Sequence, residues 1–176
     1  MSDRLTPKFL TPEVIGGAAD IVMSGVFYNS RLDGVIKKKR MGHLVVLVPS
    51  IEDARGPNYA NWPNYPITPH CIFEQSYGDR REWTSEYDII ARCKAQQLWR
   101  GQNTDGNTDI MPHLLFLDDT RYWGGVKRHG LVVAFSGVQS YIDQMISGMV
   151  ADALKALGRH MYEIGDDVAE KRAFLE

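Results

Sequence analysis

Cysteine is scarce in this sequence, and long apolar runs are missing. Only two of the 176 residues, Cys71 and Cys93, are cysteines, so we expect no disulfide framework, and a reducing cytoplasm is the predicted compartment. No stretch approaches the roughly 20 apolar residues that a membrane-spanning helix needs, and the first residues lack the apolar core of a signal peptide. The net charge is −2, whereas a chain that binds polyanions over its whole surface needs an excess of positive charge. These absences predict a cytoplasmic protein that binds neither membranes nor nucleic acid.

The short motifs of self-contained active sites are missing as well. The chain has five histidines but no HxH, HExxH or CxxC spacing. Its close histidine–carboxylate pairs, His70 with Glu74 and His160 with Glu163, offer too few ligands for a zinc or iron site. Ser136-Gly137 lies at a strand-to-helix turn but lacks the GxSxG pattern of a nucleophile elbow. The residues alone therefore favour either a binding module or a subunit whose chemistry lies in another chain.

The clearest pattern that is present lies in residues 129–157. Residues 131–135 form a short apolar run that is typical of a buried strand, and after it apolar residues recur at helical spacing. Ser140 and Asp143 have the spacing of a capping box, so we expect a long amphipathic helix to start near Ser140 and to end at Gly158. This strand and this helix are the predicted scaffold of the fold.

The other predicted elements follow from apolar periodicity and from turn residues. They are a helix over 11–28 capped by Thr11, strands at His43–Val48, Ile67–Glu74 and His113–Leu117, a helix capped by Thr84 or Ser85, a hairpin turn at Gly124-Gly125, and a short helix after Gly158. Both cysteines fall inside apolar segments, and we expect them to be buried.

A proline-rich insertion over residues 49–69 carries three aromatic residues at three-residue spacing, Tyr59, Trp62 and Tyr65. Its proline density excludes regular structure. Two interpretations stay open. The aromatic residues either fold back over their own sheet or form a surface for a partner protein, where tyrosine and tryptophan are enriched.

Two stretches carry a resemblance to a known family. The segment IARCKA, residues 90–95, and the segment VVAFSGVQSYID, residues 132–143, are similar to the corresponding segments of glycolate-operon GlcG proteins and heme-binding HbpS proteins. The resemblance covers residues 12–157. It implies one α+β domain over residues 1–176, with a profilin-like antiparallel sheet of about five strands flanked by helices.

The size, the domain type and the aromatic loops together resemble the small subunit of two-component hydroquinone 1,2-dioxygenases. In that family Fe(II) is held by a larger cupin-type subunit, the assembly is α2β2, and hydroquinone is cleaved by O2 to 4-hydroxymuconic semialdehyde. The resemblance implies that this chain supplies no catalytic residue and no metal ligand, and that it is inactive alone. Its expected contribution is to close the pocket over the aromatic ring and to exclude water.

Three residues of one turn are the predicted substrate contacts. Trp83 precedes a helix, whose N-terminus favours a phenolate oxygen, and Tyr77 and Arg80 are expected to hydrogen-bond that oxygen or balance its charge. The competing interpretations are a tryptophan that covers the sheet and an ordinary solvated turn. Tyr59, Trp62 and Tyr65 are assigned to the subunit interface.

The alternative function is a heme- or small-molecule-binding module of the GlcG/HbpS type. Heme would need an axial ligand, and His43, His70 or His113 would then have to face a cleft.

Overall fold

The computed structural model describes residues 4–36, 40–52, 67–103 and 111–172. The elements in chain order are β1 Arg4–Leu5, α1 Pro12–Phe27, β2 Gly42–Glu52, β3 Thr68–Tyr77, α2 Tyr87–Trp99, β4 Gly125–Arg128, β5 Leu131–Ser136, α3 Ser140–Glu163 and α4 Asp166–Ala169. Short 3-10 turns lie at Ser30–Leu32, Arg80–Glu82 and Pro112–Leu114. Residues 53–66 of the aromatic insertion, with Tyr59, Trp62 and Tyr65, fall outside these ranges. At its two ends the prediction of no regular structure is wrong, because β2 continues through Pro49 to Glu52 and β3 begins at Thr68.

Strand β2 is the centre of a five-stranded antiparallel sheet. It pairs with β3 along one edge and with β5 along the other, and β4 pairs with the far side of β5. The two-residue strand β1 pairs with the last residues of β2. The predicted fold class, an α+β fold with about five antiparallel strands flanked by helices in a profilin-like arrangement, is confirmed.

The sheet is apolar on both faces, and helices cover each face. Leu44, Val46 and Val48 of β2 pack with the inner faces of α1 and α3. Val45 and Leu47, on the opposite face, pack with α2. Because successive side chains of a strand alternate between faces, a strand covered on both sides has no polar alternation, which is why the sequence shows continuous apolar runs there.

Helix α3 lies over the sheet through a stripe at four-residue spacing. Ile146, Val150 and Leu154 are completely buried, and full burial of one such side chain stabilises the fold by about 1.5–3 kcal/mol. The predicted start of this helix is confirmed, but the predicted end at Gly158 is wrong, since the helix continues to Glu163. A Cβ at Gly158 would lie 3.4 Å from Leu10, an ordinary contact distance, so the helix passes through this position without needing a glycine.

Two predicted helix caps are wrong, and one is confirmed. Thr11 accepts a hydrogen bond from the amide of Val14 and caps α1 as expected. At α3 the capping residue is Gln139, without a side-chain hydrogen bond, so Ser140 is the first helical residue. At α2 the capping residue is Glu86, and neither Thr84 nor Ser85 takes that role.

The predicted strand at His113–Leu117 is wrong. Pro112 begins a 3-10 turn over Pro112–Leu114. Proline fixes φ near −65° and has no N–H for a strand ladder. The chain then turns at residues 117–118, where Asp118 has a φ of 68°, and Asp119 accepts a hydrogen bond from the amide of Phe116.

The hairpin turn predicted at Gly124-Gly125 is also wrong. The turn between β4 and β5 is formed by His129 and Gly130, with φ values of 56° and 78°. Positive φ at both central residues is the pattern of a type I′ hairpin. Gly125 instead begins β4, and Gly124 has a φ of 112° where a Cβ would lie 2.9 Å from the Cβ of Asp143.

The expectation that both cysteines are buried is wrong. Cys71 is exposed on β3, which among the described strands pairs with β2 alone, and Cys93 is half-buried on α2. Within the described ranges, no helix combines the length and the apolar character needed to cross a bilayer.

Candidate functional site

A pocket of about 470 Å³ lies where the N-terminus of α3 meets the start of α2. This volume is in the range of small-molecule sites. Its lining residues are Thr84, Ser85, Tyr87, Ile90, Lys94, Tyr122, Trp123, Ser136, Gly137, Val138, Gln139, Ser140, Tyr141 and Asp143.

Aromatic side chains form much of the pocket wall. Tyr87 is buried at the start of α2, and its hydroxyl lies 2.8 Å from the Oγ1 of Thr84. Tyr122 and Trp123 come from the segment before β4, and Tyr141 comes from the first turn of α3. Tyr122 and Tyr141 are 45% and 56% exposed and lie at the mouth. Flat apolar walls of this kind suit a planar ligand.

The floor of the pocket contains a buried ion pair. The Nζ of Lys94 lies 2.9 Å from the Oδ2 of Asp143, and the two side chains are only 3% and 5% exposed. Lys94 also donates to the carbonyl oxygen of Phe135 at 3.0 Å. Burial lowers the pKa of Lys94 and raises the pKa of Asp143, while the attraction between the two charges opposes both shifts.

Asp143 is held in place by the turn between β5 and α3. Its Oδ1 accepts a hydrogen bond from the amide of Val138 at 3.1 Å. Its backbone carbonyl accepts from the hydroxyl of Ser147 at 2.7 Å, and that hydroxyl accepts from the amide of Phe135 at 3.0 Å. A Cβ at Gly137 would lie 2.6 Å from the Cα of Gly42, so only glycine allows this turn to lie against β2.

The structure brings two of the predicted substrate contacts together beside this pocket. The guanidinium carbon of Arg80 lies 4.9 Å from the centre of the Trp83 ring. Trp83 is half-buried, and its ring centre lies 5.3 Å from that of Tyr87. Trp83 therefore packs against Tyr87, a residue of the pocket lining, and is not itself among the residues that line the pocket.

Tyr77, the third predicted contact, lies on the other face of the sheet. Its ring packs against Phe27 and Phe135, with centres 6.0 and 6.3 Å away. Burial raises the pKa of its hydroxyl, which has no hydrogen-bond partner among the residues described. The sequence pattern ended this strand at Glu74, but β3 continues to Tyr77. The alternation of the strand therefore decides where the Tyr77 side chain lies.

A charged cluster surrounds His43 on the α2 side of the sheet. The ring Nδ1 of His43 lies 2.9 Å from the Oγ of Ser76, and its Nε2 lies 3.7 Å from Glu74, too far for a hydrogen bond. Arg92 donates two hydrogen bonds to Glu74, at 2.9 and 3.0 Å, and holds the pKa of that carboxyl below its usual range. Asp88 completes the group of charges, 3.7 Å from Arg92.

The cluster around His43 does not fit a metal ion. Burial lowers the pKa of His43, and the neutral ring would be one ligand, but both oxygens of Glu74 are occupied by Arg92. Over the part of the chain that the structure describes, no group of three or more potential metal ligands converges. The aromatic pocket is lined by none of the three candidate axial ligands, His43, His70 and His113.

The sequence carries one signal for the pocket floor that belongs to no short motif. Lys94 stands in the apolar stripe of α2, between Ala91 and Ala95 and before Leu98, all of which are buried. A charged residue in a buried stripe requires a partner. Asp143 is likewise a charged residue on the buried side of α3. Its interpretation as part of a capping box with Ser140 is wrong.

Comparison with known proteins assigns this chain to no family, because no family model, no curated protein and no solved structure matches it.

Proposed function

We propose that this chain is the non-metal small subunit of a hetero-oligomeric Fe(II)-dependent dioxygenase. The assembled enzyme cleaves hydroquinone with O2 to 4-hydroxymuconic semialdehyde in the cytoplasm, and this chain helps to close the substrate pocket. The observation that carries the proposal is the aromatic-walled pocket of about 470 Å³ at the N-terminus of α3. A single substituted benzene ring fits such a volume.

The position of the pocket links it to the resemblance. The two stretches that resemble GlcG and HbpS proteins contribute Lys94 and Asp143, and these residues pair at the pocket floor. Ile90 and Lys94 of the first stretch and residues 136–141 of the second meet at this pocket, while other residues of both stretches, such as Ala91, Ala95 and Val133, lie in the core. This convergence supports a function for the pocket, and the dioxygenase assignment itself rests on the resemblance.

The role of this chain is to bind, orient and shield the ring. Tyr87, Trp123 and Tyr141 provide flat walls, and the first turn of α3 presents backbone N–H groups to an oxygen atom. Iron belongs to the larger cupin-type subunit, where it supplies the activation of O2. The described residues of this chain do not fit a metal, and no step is assigned to them through one.

The test begins with the native complex. We expect the chain to purify from its source cells with a roughly equimolar larger subunit that contains iron, in an α2β2 assembly that consumes hydroquinone. The chain alone should be inactive even with added Fe(II). Purification as a homo-oligomer without a partner, or turnover by the chain alone, would overturn the proposal.

Variants of two tryptophans at opposite ends of α2 test the predicted substrate contact. Trp83→Ala should lower turnover by the assembled enzyme and leave subunit association intact. Trp99→Ala is the matched control, because Trp83 packs against Tyr87, which lines the pocket, whereas Trp99 lies at the far end of α2 and contacts Lys127. Equal effects of the two substitutions, or loss of association with Trp83→Ala, would remove Trp83 and its neighbour Arg80 from the substrate site.

A second function is favoured by a specific observation. The lining of the pocket combines aromatic side chains with the buried Lys94–Asp143 pair, which also suits a small-molecule-binding module. Saturable binding of a small acid by a homo-oligomer, with no accompanying larger subunit, would favour this function over the dioxygenase.

A further inference from the structure

The ammonium group at the pocket floor has one hydrogen-bond donor left over. A lysine ammonium has three N–H groups. One of those of Lys94 is directed to Phe135 and one to Asp143. Over the residues that the structure describes, no further acceptor lies within hydrogen-bonding distance of this nitrogen. A buried donor without a partner is costly, so an acceptor brought by a ligand would be bound strongly.

The charges around this donor favour an oxygen atom over a cation. Lys94 and Asp143 neutralise each other, so the floor has no net charge to attract an ammonium group. The amides of Ser140 and Tyr141 are in the first turn of α3, where backbone N–H groups have no partner within the helix and carry partial positive charge. Donors from two elements therefore border the same space.

The walls determine the shape of the ligand. Tyr87, Trp123 and Tyr141 are aromatic, Ile90 is aliphatic, and the space of about 470 Å³ holds one or two rings. We infer that the pocket binds a small aromatic molecule through a phenolic or carboxylate oxygen that accepts the third N–H of Lys94. The inference names the ligand class of the pocket and rests on the proposed function of that pocket.

A second cavity next to Lys94 offers the competing explanation. It measures about 10 Å³ and is bordered by Gln97, Asn103 and Gly124. A cavity of this size holds at most one water molecule. If the third N–H served such a water, Lys94 would be a structural residue and would contribute nothing to ligand choice.

The experiment compares three probes on the purified chain by isothermal titration calorimetry: phenol, benzoate and toluene. Toluene has the size of phenol but carries no acceptor oxygen. The wild-type chain should bind phenol or benzoate about tenfold or more tightly than toluene, the factor expected for a hydrogen bond from a charged donor. Chemical shifts of the amides of Ser140 and Tyr141 should change on addition of the oxygen-bearing probes.

The double variant Lys94→Met/Asp143→Asn tests the donor. Asparagine keeps the oxygen that accepts from Val138, and removal of both charges leaves no unpaired ion, so this variant should fold where the single variants are at risk. We expect it to lose the preference for phenol or benzoate and to bind toluene within about threefold of wild type, because the walls are unchanged. Tyr141→Ala should weaken all three probes together. Lys155→Met, on the exposed side of α3, should change none.

Two results would overturn the inference. One is the same preference for oxygen-bearing probes in the wild type and the double variant, which would assign the third N–H to the small cavity. The other is no binding of any probe by the folded wild-type chain. Turnover of hydroquinone by the assembly with no probe binding to the chain would refute this inference alone. Probe binding without an iron-containing partner would refute the dioxygenase proposal alone.

Discussion

The Lys94–Asp143 pair should dominate the stability of the region around the pocket, and its energy can be measured by a double-mutant cycle. The perturbations are Lys94→Met, Asp143→Asn and the two together. Each side chain is less than about a tenth exposed, so each single change leaves one buried charge without its partner. Removal of one member of a buried ion pair costs about 3–5 kcal/mol.

The double variant should be less destabilised than the sum of the two single variants. The lysine is absent together with the charge it compensates, and the remaining asparagine can still accept from Val138. Neighbours in one hydrogen-bond network show coupling energies of about 0.5–3 kcal/mol. We expect a value near the upper end, about 2–3 kcal/mol, because both groups are buried and only 2.9 Å apart.

The measurement is urea denaturation at pH 7, followed by far-ultraviolet circular dichroism, with unchanged m-values as the criterion for a common unfolded state. Lys155→Met is the matched control. Lys155 is exposed on α3, so the same substitution there should change the free energy of unfolding by less than about 0.5 kcal/mol. Additivity of the two single variants within about 0.5 kcal/mol would refute the pairing and the geometry of the pocket floor with it.

Three further predictions concern single positions. Gly137→Ala should lower the free energy of unfolding by about 1–3 kcal/mol through overpacking. Gly17→Ala has no atom within 4 Å of its added Cβ and should raise the free energy of unfolding by about 0.5–1 kcal/mol. Equal changes in melting temperature for the two variants would contradict this prediction. Burial lowers the pKa of His43 from 6.5, so the unfolded chain takes up a proton first, and stability should fall as the pH drops from about 7 to 5. His43→Gln should flatten that fall, and an unchanged slope in denaturation curves would contradict the assignment. Ser147→Ala should cost about 1–3 kcal/mol by leaving the amide of Phe135 unpaired, and a loss under about 0.5 kcal/mol would show that another acceptor replaces it.

The elements with strong apolar periodicity were predictable from the sequence. The strands that begin near His43 and Leu131 and the helix that begins at Ser140 are where the pattern placed them. These segments are buried by the elements around them, so local pattern and tertiary packing favour the same structure. Errors came where the local signal was one residue type, as with Pro112 just before the predicted strand and the glycine pair Gly124-Gly125 at the start of β4.

The site was less predictable because it depends on contacts between distant parts of the chain. Trp83 and Arg80 are close in the sequence and in the structure. Tyr77 was predicted to lie in the same turn, but it is the last residue of β3. The sequence defines the end of a strand poorly, and the alternation of side chains along the strand places Tyr77 on the opposite face. Lys94 and Asp143 were both within the resembling stretches, but only the tertiary structure shows that they meet.

The central pairing of the sheet has a consequence for folding kinetics. β2 pairs with β3, its neighbour in the sequence, but also with β5, where His43 lies opposite Ser136. Contacts between such distant segments require closure of a long loop and slow the search for the native topology. The turn after β5 forms one side of the pocket. Ligand binding during refolding should therefore appear only with the slowest phase that forms the sheet, which makes a fluorescent ligand a reporter of topology and not of early collapse.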